Sequence, residues 1–77
     1  MSEIATLDLR GLRCPLPVLK AAKAVKLAAP GALVEVLADD PLAPADFADF
    51  CAAKGHQLVA SDETAPGVFR FLIRRVA

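Results

Sequence analysis

Apolar and polar side chains alternate at the start of the chain. In ATLDLR, residues 5–10, Leu7 and Leu9 fall on one side and Thr6, Asp8 and Arg10 on the other, the two-residue period of a strand with one covered face. The alternation stops at Gly11 and a longer period replaces it. Over 15–29, Val18, Leu19, Ala22, Val25 and Ala29 recur at helical spacing while Lys20, Lys23 and Lys26 step along another face, which predicts an amphipathic helix closed by Pro30-Gly31. ALVEVLA, residues 32–38, is nearly continuous in apolar residues and partly β-branched, as in a strand well covered by its neighbours, and Asp39-Asp40-Pro41 stops it. A second helix is expected from about Pro44 to Lys54, with Phe47, Phe50 and Cys51 at i, i+3 and i+4 and Gly55 as its C′ residue. Two further strands, 56–62 and 68–75, are joined by Thr64-Ala65-Pro66-Gly67 as an antiparallel hairpin.

The order βαβαββ restricts the architecture. If the first two strands are adjacent they are parallel with a right-handed crossover, so both helices pack on one face of the sheet. The expected fold is a two-layer α/β sandwich: a mixed four-stranded sheet with two helices on one side. In the last strand Phe69, Phe71 and Ile73 suit the helix-covered face, and Arg70, Leu72 and Arg74 the open one. No linker or repeat suggests a second domain within residues 1–77.

Composition narrows the function classes. Seventy-seven residues lie near the lower size for a core without disulfides or a metal, and 56% hydrophobic content supplies that core. Nine basic and nine acidic side chains cancel, whereas binding to a phosphate backbone usually shows as a basic excess, so no direct nucleic-acid partner is expected. Neither a signal-peptide h-region nor a membrane-spanning run is visible, so the chain is expected to be cytoplasmic and soluble. Cys14 and Cys51 form no CxxC pair, and His56 is the sole histidine. A disulfide framework, a thioredoxin-type motif and a zinc finger are therefore not indicated, and no metal or cofactor is expected.

The chemistry concentrates at GLRCPLPVL, residues 11–19. Proline disfavours the α conformation in the residue before it, so the sequence predicts Cys14 as the N-cap, Pro15 as the first helical residue and Pro17 at the third. In that arrangement the N–H of Leu16 is free to donate to the sulfur. That donor, the helix dipole and adjacent Arg13 would all lower the thiol pKa below its free value of ~8.5. The parallel strands place the 10–14 and 39–44 loops together at one edge of the sheet, where α/β folds commonly bind ligands.

A histidine base is missing, because His56 begins the third strand at the opposite end of the sheet and reads as a surface or hydrogen-bonded residue. An exposed thiolate alone can still attack a sulfane sulfur, hold it as a persulfide and yield it to another thiol. Cys51 shares an apolar stripe with Phe47 and Phe50 and reads as core; it stands ~10 Å along the helix axis from Pro44, too far for easy pairing with Cys14. Asp39 and Asp40 read as solvated turn residues. The lysine face, with Arg10 and Arg13, also suits docking of an acidic patch on a partner, through Arg10, Lys20 and Lys23.

These segments also carry a likeness. GLRCPLPVLKAAKAV, the DDP after the second strand, the FC late in the second helix, and the GHQLV and FRFLIRR strands resemble the TusA/SirA-like sulfur-carrier proteins over nearly the whole chain. The resemblance implies a fold similar to the C-terminal domain of translation initiation factor three, and a cytoplasmic protein carrying persulfide sulfur on the Cys-Pro-x-Pro cysteine, here Cys14. It implies a cysteine desulfurase or rhodanese-type donor and a protein acceptor. Destinations in the family include 2-thiolation of wobble uridine in tRNA, sulfur oxidation, molybdenum-cofactor supply and selenium metabolism. A non-catalytic regulatory or interaction module, and a redox sensor using both cysteines, are the alternatives. The first leaves the Pro-x-Pro frame without a purpose, and the second is poorly served by a distant apolar Cys51.

Overall fold

The computed structural model describes residues 4–76. Its elements are β1 (Ala5–Asp8), α1 (Leu16–Leu27), β2 (Leu33–Ala38), α2 (Ala43–Lys54), β3 (Gln57–Ala65) and β4 (Val68–Arg74). The sheet runs β1-β2-β4-β3; β1 and β2 are parallel and the remaining pairs antiparallel. This is the expected βαβαββ arrangement with a mixed four-stranded sheet.

Element ends differ from the sequence pattern for local reasons. β1 stops at Asp8, although the Leu9 N–H still donates to Leu37 O at 2.8 Å, because the next residues leave the sheet to form the Cys14 loop. α1 stops at Leu27, and Ala28 is extended (φ −76°, ψ 155°). Its end is held from outside: the Arg75 guanidinium donates to Lys26 O at 2.8 Å and to Ala28 O. α2 ends as expected at Gly55, whose φ of +74° is a left-handed conformation that disfavours a side chain. β3 runs on to Ala65, which pairs with Val68, so the hairpin turns on Pro66-Gly67 alone.

The core follows the alternation. Val34, Val36 and Ala38 of β2 and Phe71 and Ile73 of β4 face the helices and are buried against Ala21 and Val25 of α1 and Phe47, Phe50 and Cys51 of α2. Phe47 stacks on Phe71 with ring centroids 4.5 Å apart; burying such a ring contributes roughly 1.5–3 kcal/mol. The apolar run of β2 is thus split between the two faces, since Leu33, Glu35 and Leu37 point to the half-buried open side.

A polar chain crosses that open face through all four strands. Thr6 donates to Glu35 at 3.0 Å, Glu35 pairs with Arg70, and Arg70 reaches Asp62 at 3.7 Å. Arg70, with Thr6, holds the Glu35 carboxyl below the usual carboxylate range. One face of the sheet accordingly carries this polar chain between half-buried leucines, and the helical layer covers the other.

Candidate functional site

Parallel β1 and β2 bring their carboxyl ends to one edge, so the loops that follow them are neighbours. Gly11 takes the first turn with φ +90°, a conformation a side chain would strain. Its N–H donates to Asp39 Oδ1 at 2.9 Å, and Arg13 Nη1 donates to the same oxygen at 2.8 Å. The Cys14 N–H donates to Asp40 Oδ2 at 2.6 Å, while Asp40 Oδ1 accepts from the Leu42 N–H at 3.0 Å. Asp40 is only 4% exposed, so it is not the solvated turn residue the sequence suggested. A buried carboxylate must have its oxygens satisfied, and these two loops satisfy one another. The Gly11 N–H, then Arg13, hold the Asp39 carboxyl below its ordinary range.

Cys14 is exposed at the tip of this brace, but its surroundings correct three expectations. Pro15, not Cys14, is the N-cap residue of α1 (φ −97°, ψ 11°), so Leu16 is the first helical residue and Pro17 the second. The Cys14–Pro15 peptide bond is cis. Leu16 donates its N–H to Arg13 O at 2.9 Å instead of to the sulfur, closing a turn through Cys14 and Pro15, and the first helical bond runs from Leu19 N–H to Pro15 O. Arg13 in turn spends its guanidinium on Asp39 and Leu12 O, not on the thiolate.

The sign of the electrostatic effect is also reversed. The Asp46 carboxylate, in the first turn of α2, favours the neutral thiol, which is able to hydrogen-bond to it; partial burial and the charges of Asp46 and Asp40 act in the same direction. The Cys14 thiol is therefore pushed above its ordinary range, where the sequence predicted a lowered value. The reason is tertiary. Neighbours in sequence supply cations, but the packing of α2 beside α1 supplies carboxylates. Asp46 was not singled out from the sequence. Its only sequence signal is an acidic residue in the first turn of a helix whose start faces the Cys14 loop.

Beside the sulfur lies a groove of about 380 Å³ between α1 and α2, floored by Pro15, Val18, Phe50 and Ala53 and edged by Asp46, Asp49 and Lys54. Leu16 and Leu19, though apolar, stand exposed on α1 near it. Of the docking candidates, Arg10 is tied to Asp8 by an ion pair of 2.8 Å, which lowers the Asp8 carboxyl to about 2. Lys20 and Lys23 are exposed on α1.

The other candidates fall away from the thiol. Cys51 is core as expected, 3% exposed, and burial raises its thiol pKa. His56 precedes β3, whose first residue pairs with Arg74 at the sheet end remote from Cys14; its Nδ1 accepts from the Val76 N–H at 3.3 Å, and its ring lies 5.9 Å from that of Phe50. No Cys-His couple is assembled. Among the described residues no group of three or more His, Cys, Asp or Glu side chains is arranged to hold a metal ion, and no helix is long and apolar enough to cross a membrane.

Fold and site together define a small two-layer α/β protein that presents one braced, exposed cysteine ahead of Pro-Leu-Pro. The family model described as Sulfurtransferase TusA matches residues 5–75, and the chain belongs to this family. Two candidate sulfur carrier proteins of Neisseria meningitidis, one each from a serogroup A and a serogroup B strain, are each 45% identical to it over 69 residues, 90% of this chain and 92% of theirs. The crystal structure of a SirA-like protein from Desulfitobacterium hafniense superposes with a TM-score of 0.82 at 30% identity, covering 97% of this chain and all of that one.

Proposed function

We propose that the chain is a sulfur carrier that accepts sulfane sulfur as a persulfide on Cys14 and passes it to an acceptor protein. The observation that carries this reading is the exposed Cys14 held on a loop braced by Asp39 and Asp40, with an apolar groove beside it and no histidine base. Family membership and the names of the relatives support the sulfur chemistry.

The transfer needs no external oxidant. As a donor persulfide approaches, the Cys14 thiol loses its proton to solvent. The thiolate then bonds to the outer sulfur of the donor, the donor's S–S bond breaks, and the donor leaves as a thiolate. One sulfur atom has moved between two thiolates with no net change in oxidation state. Delivery is the same step in reverse: an acceptor thiolate attacks the outer sulfur and Cys14 regains its proton. Because attacking strength rises with thiol pKa, a thiolate formed here is scarce at neutral pH but strongly nucleophilic.

In this reading Arg13, Pro15, Leu16 and Pro17 shape and hold the cysteine turn, and Arg10, Lys20 and Lys23 contribute to docking. The donor is a cysteine desulfurase or rhodanese-type protein and the compartment is the cytoplasm, where thiols stay reduced. Thiolation of tRNA is one destination for the sulfur among those the family serves. The test is mass spectrometry after incubation with a desulfurase and cysteine, or with a rhodanese-type donor. One sulfur atom is expected on Cys14, removable by thiol, absent in Cys14→Ser and retained in Cys51→Ala. Sulfur mapping to Cys51, or no loading by either donor class on the folded protein, would overturn the reading in favour of a regulatory module.

A further inference from the structure

The groove beside Cys14 does not end there. A second cavity of about 590 Å³ continues it between the helices, sharing Phe50 and Lys54. Its floor stays apolar, through Ala22 and Phe50, while its walls change sign. At the Cys14 end the charged side chains are Asp46 and Asp49; at the far end they are Lys23, Lys26, Lys54 and Arg75. Lys54 belongs to both. Lys26 and Lys54 lie in the last turns of their helices and complement the helix dipoles, and Arg75 is fixed on the α1 carbonyls. Among the described residues lining the far end, the three lysines Lys23, Lys26 and Lys54 meet no carboxylate.

Resting on the carrier reading, we infer that this charge-polarised groove seats an extended segment of a sulfur-exchanging partner, with the partner's cysteine at Cys14 and acidic side chains over Lys23, Lys26 and Lys54. Charge complementarity fixes the orientation. A segment with its acidic residues next to the cysteine would set them against Asp46 and Asp49, where like charges repel. Spacing follows from helix geometry. With ~1.5 Å of rise per residue, Lys23 and Lys26 stand ~10 and ~15 Å along α1 from Leu16, which an extended chain at ~3.3 Å per residue covers in about three to five residues. The partner motif is therefore a cysteine with acidic residues at about the third and fifth positions from it, in either chain direction, and apolar residues between to lie on Phe50.

The experiment uses the full chain and short synthetic peptides whose cysteine is activated as an aryl disulfide. Attack by Cys14 forms a mixed disulfide with the peptide and releases the aryl thiolate, so the thiol is oxidised, the aryl disulfide is reduced, and the proton goes to solvent. Each peptide with Glu at the third and fifth positions, in both chain directions, is compared with its counterpart carrying Lys there. In at least one direction the Glu peptide is expected to react on the order of tenfold faster at low salt. That preference is expected to collapse in the Lys23→Glu/Lys26→Glu/Lys54→Glu variant, and to shrink in Lys54→Glu alone, which serves if the triple variant does not fold. Each rate is divided by that of the same variant with a small uncharged aryl disulfide, so that a change in thiol reactivity is separated from a change in docking. A preference under about threefold in both directions, or one that survives the charge reversals, overturns the docking proposal. Loading of wild-type Cys14 by inorganic polysulfide is scored separately, and its failure counts against the carrier reading alone.

Discussion

The two cysteines of this chain share a direction of pKa shift and nothing else. Both thiols are raised, Cys51 by burial and Cys14 first by hydrogen bonding to Asp46. Burial is a property of the whole core around Phe47 and Phe50 and cannot be removed without unmaking it. A carboxylate at the surface can be displaced or neutralised by whatever docks there. One thiol is therefore raised by the core as a whole, and the other chiefly by a single surface carboxylate.

The widest gap between the two sites is in access. Iodoacetamide should label Cys14 on the order of 100-fold faster than Cys51 in the folded protein, because Cys51 reacts only through opening of the core, and urea should erase the difference. Comparable native rates would break the contrast. The brace comes next in size. Asp40→Ala leaves the Cys14 and Leu42 N–H groups without their acceptor and is expected to cost about 2 kcal/mol of stability, read as a lower urea midpoint. An unchanged midpoint would mean that the carboxylate does not hold the loop. Subtler is the effect of Asp46→Asn, which removes the charge that favours the thiol. The Cys14 pKa should then fall and alkylation at neutral pH rise several-fold, with the profile moving to lower pH and Cys51 unaffected. A profile that stays in place or moves upward would assign the raised thiol to another cause.

Much of the fold was legible because it rests on periodicity. The alternation of Phe71 and Ile73 against Arg70 and Arg74, the helical stripe of Phe47, Phe50 and Cys51, and the Gly55 stop all report local geometry, and all appear in the sheet and helices as read. The position of Cys14 at the carboxyl edge followed from topology. What escaped was the state of the thiol, and the reason is range. Chain neighbours Arg13 and Leu16 look like stabilisers of a thiolate, but Arg13 is taken by Asp39 and the Leu16 N–H by Arg13 O. Asp46 reaches the sulfur only once α2 packs beside α1. Asp40 misled in the same way, since a carboxylate before a proline looks solvated until the partner loop that buries it is in place.

Asp39 and Asp40 carry one further implication, for anyone who would move this thiol elsewhere. The turn that presents Cys14 is not self-contained, because its amides at Gly11 and Cys14 and its guanidinium at Arg13 are all satisfied from the end of a different strand. The smallest portable unit is therefore a pair of segments, one carrying GLRCP and the other DDP, mounted on two adjacent parallel strands. Grafted alone into a host protein, the first segment would arrive as a loop with two orphaned amides and an arginine that has lost its carboxylate, and its sulfur would have no fixed aim.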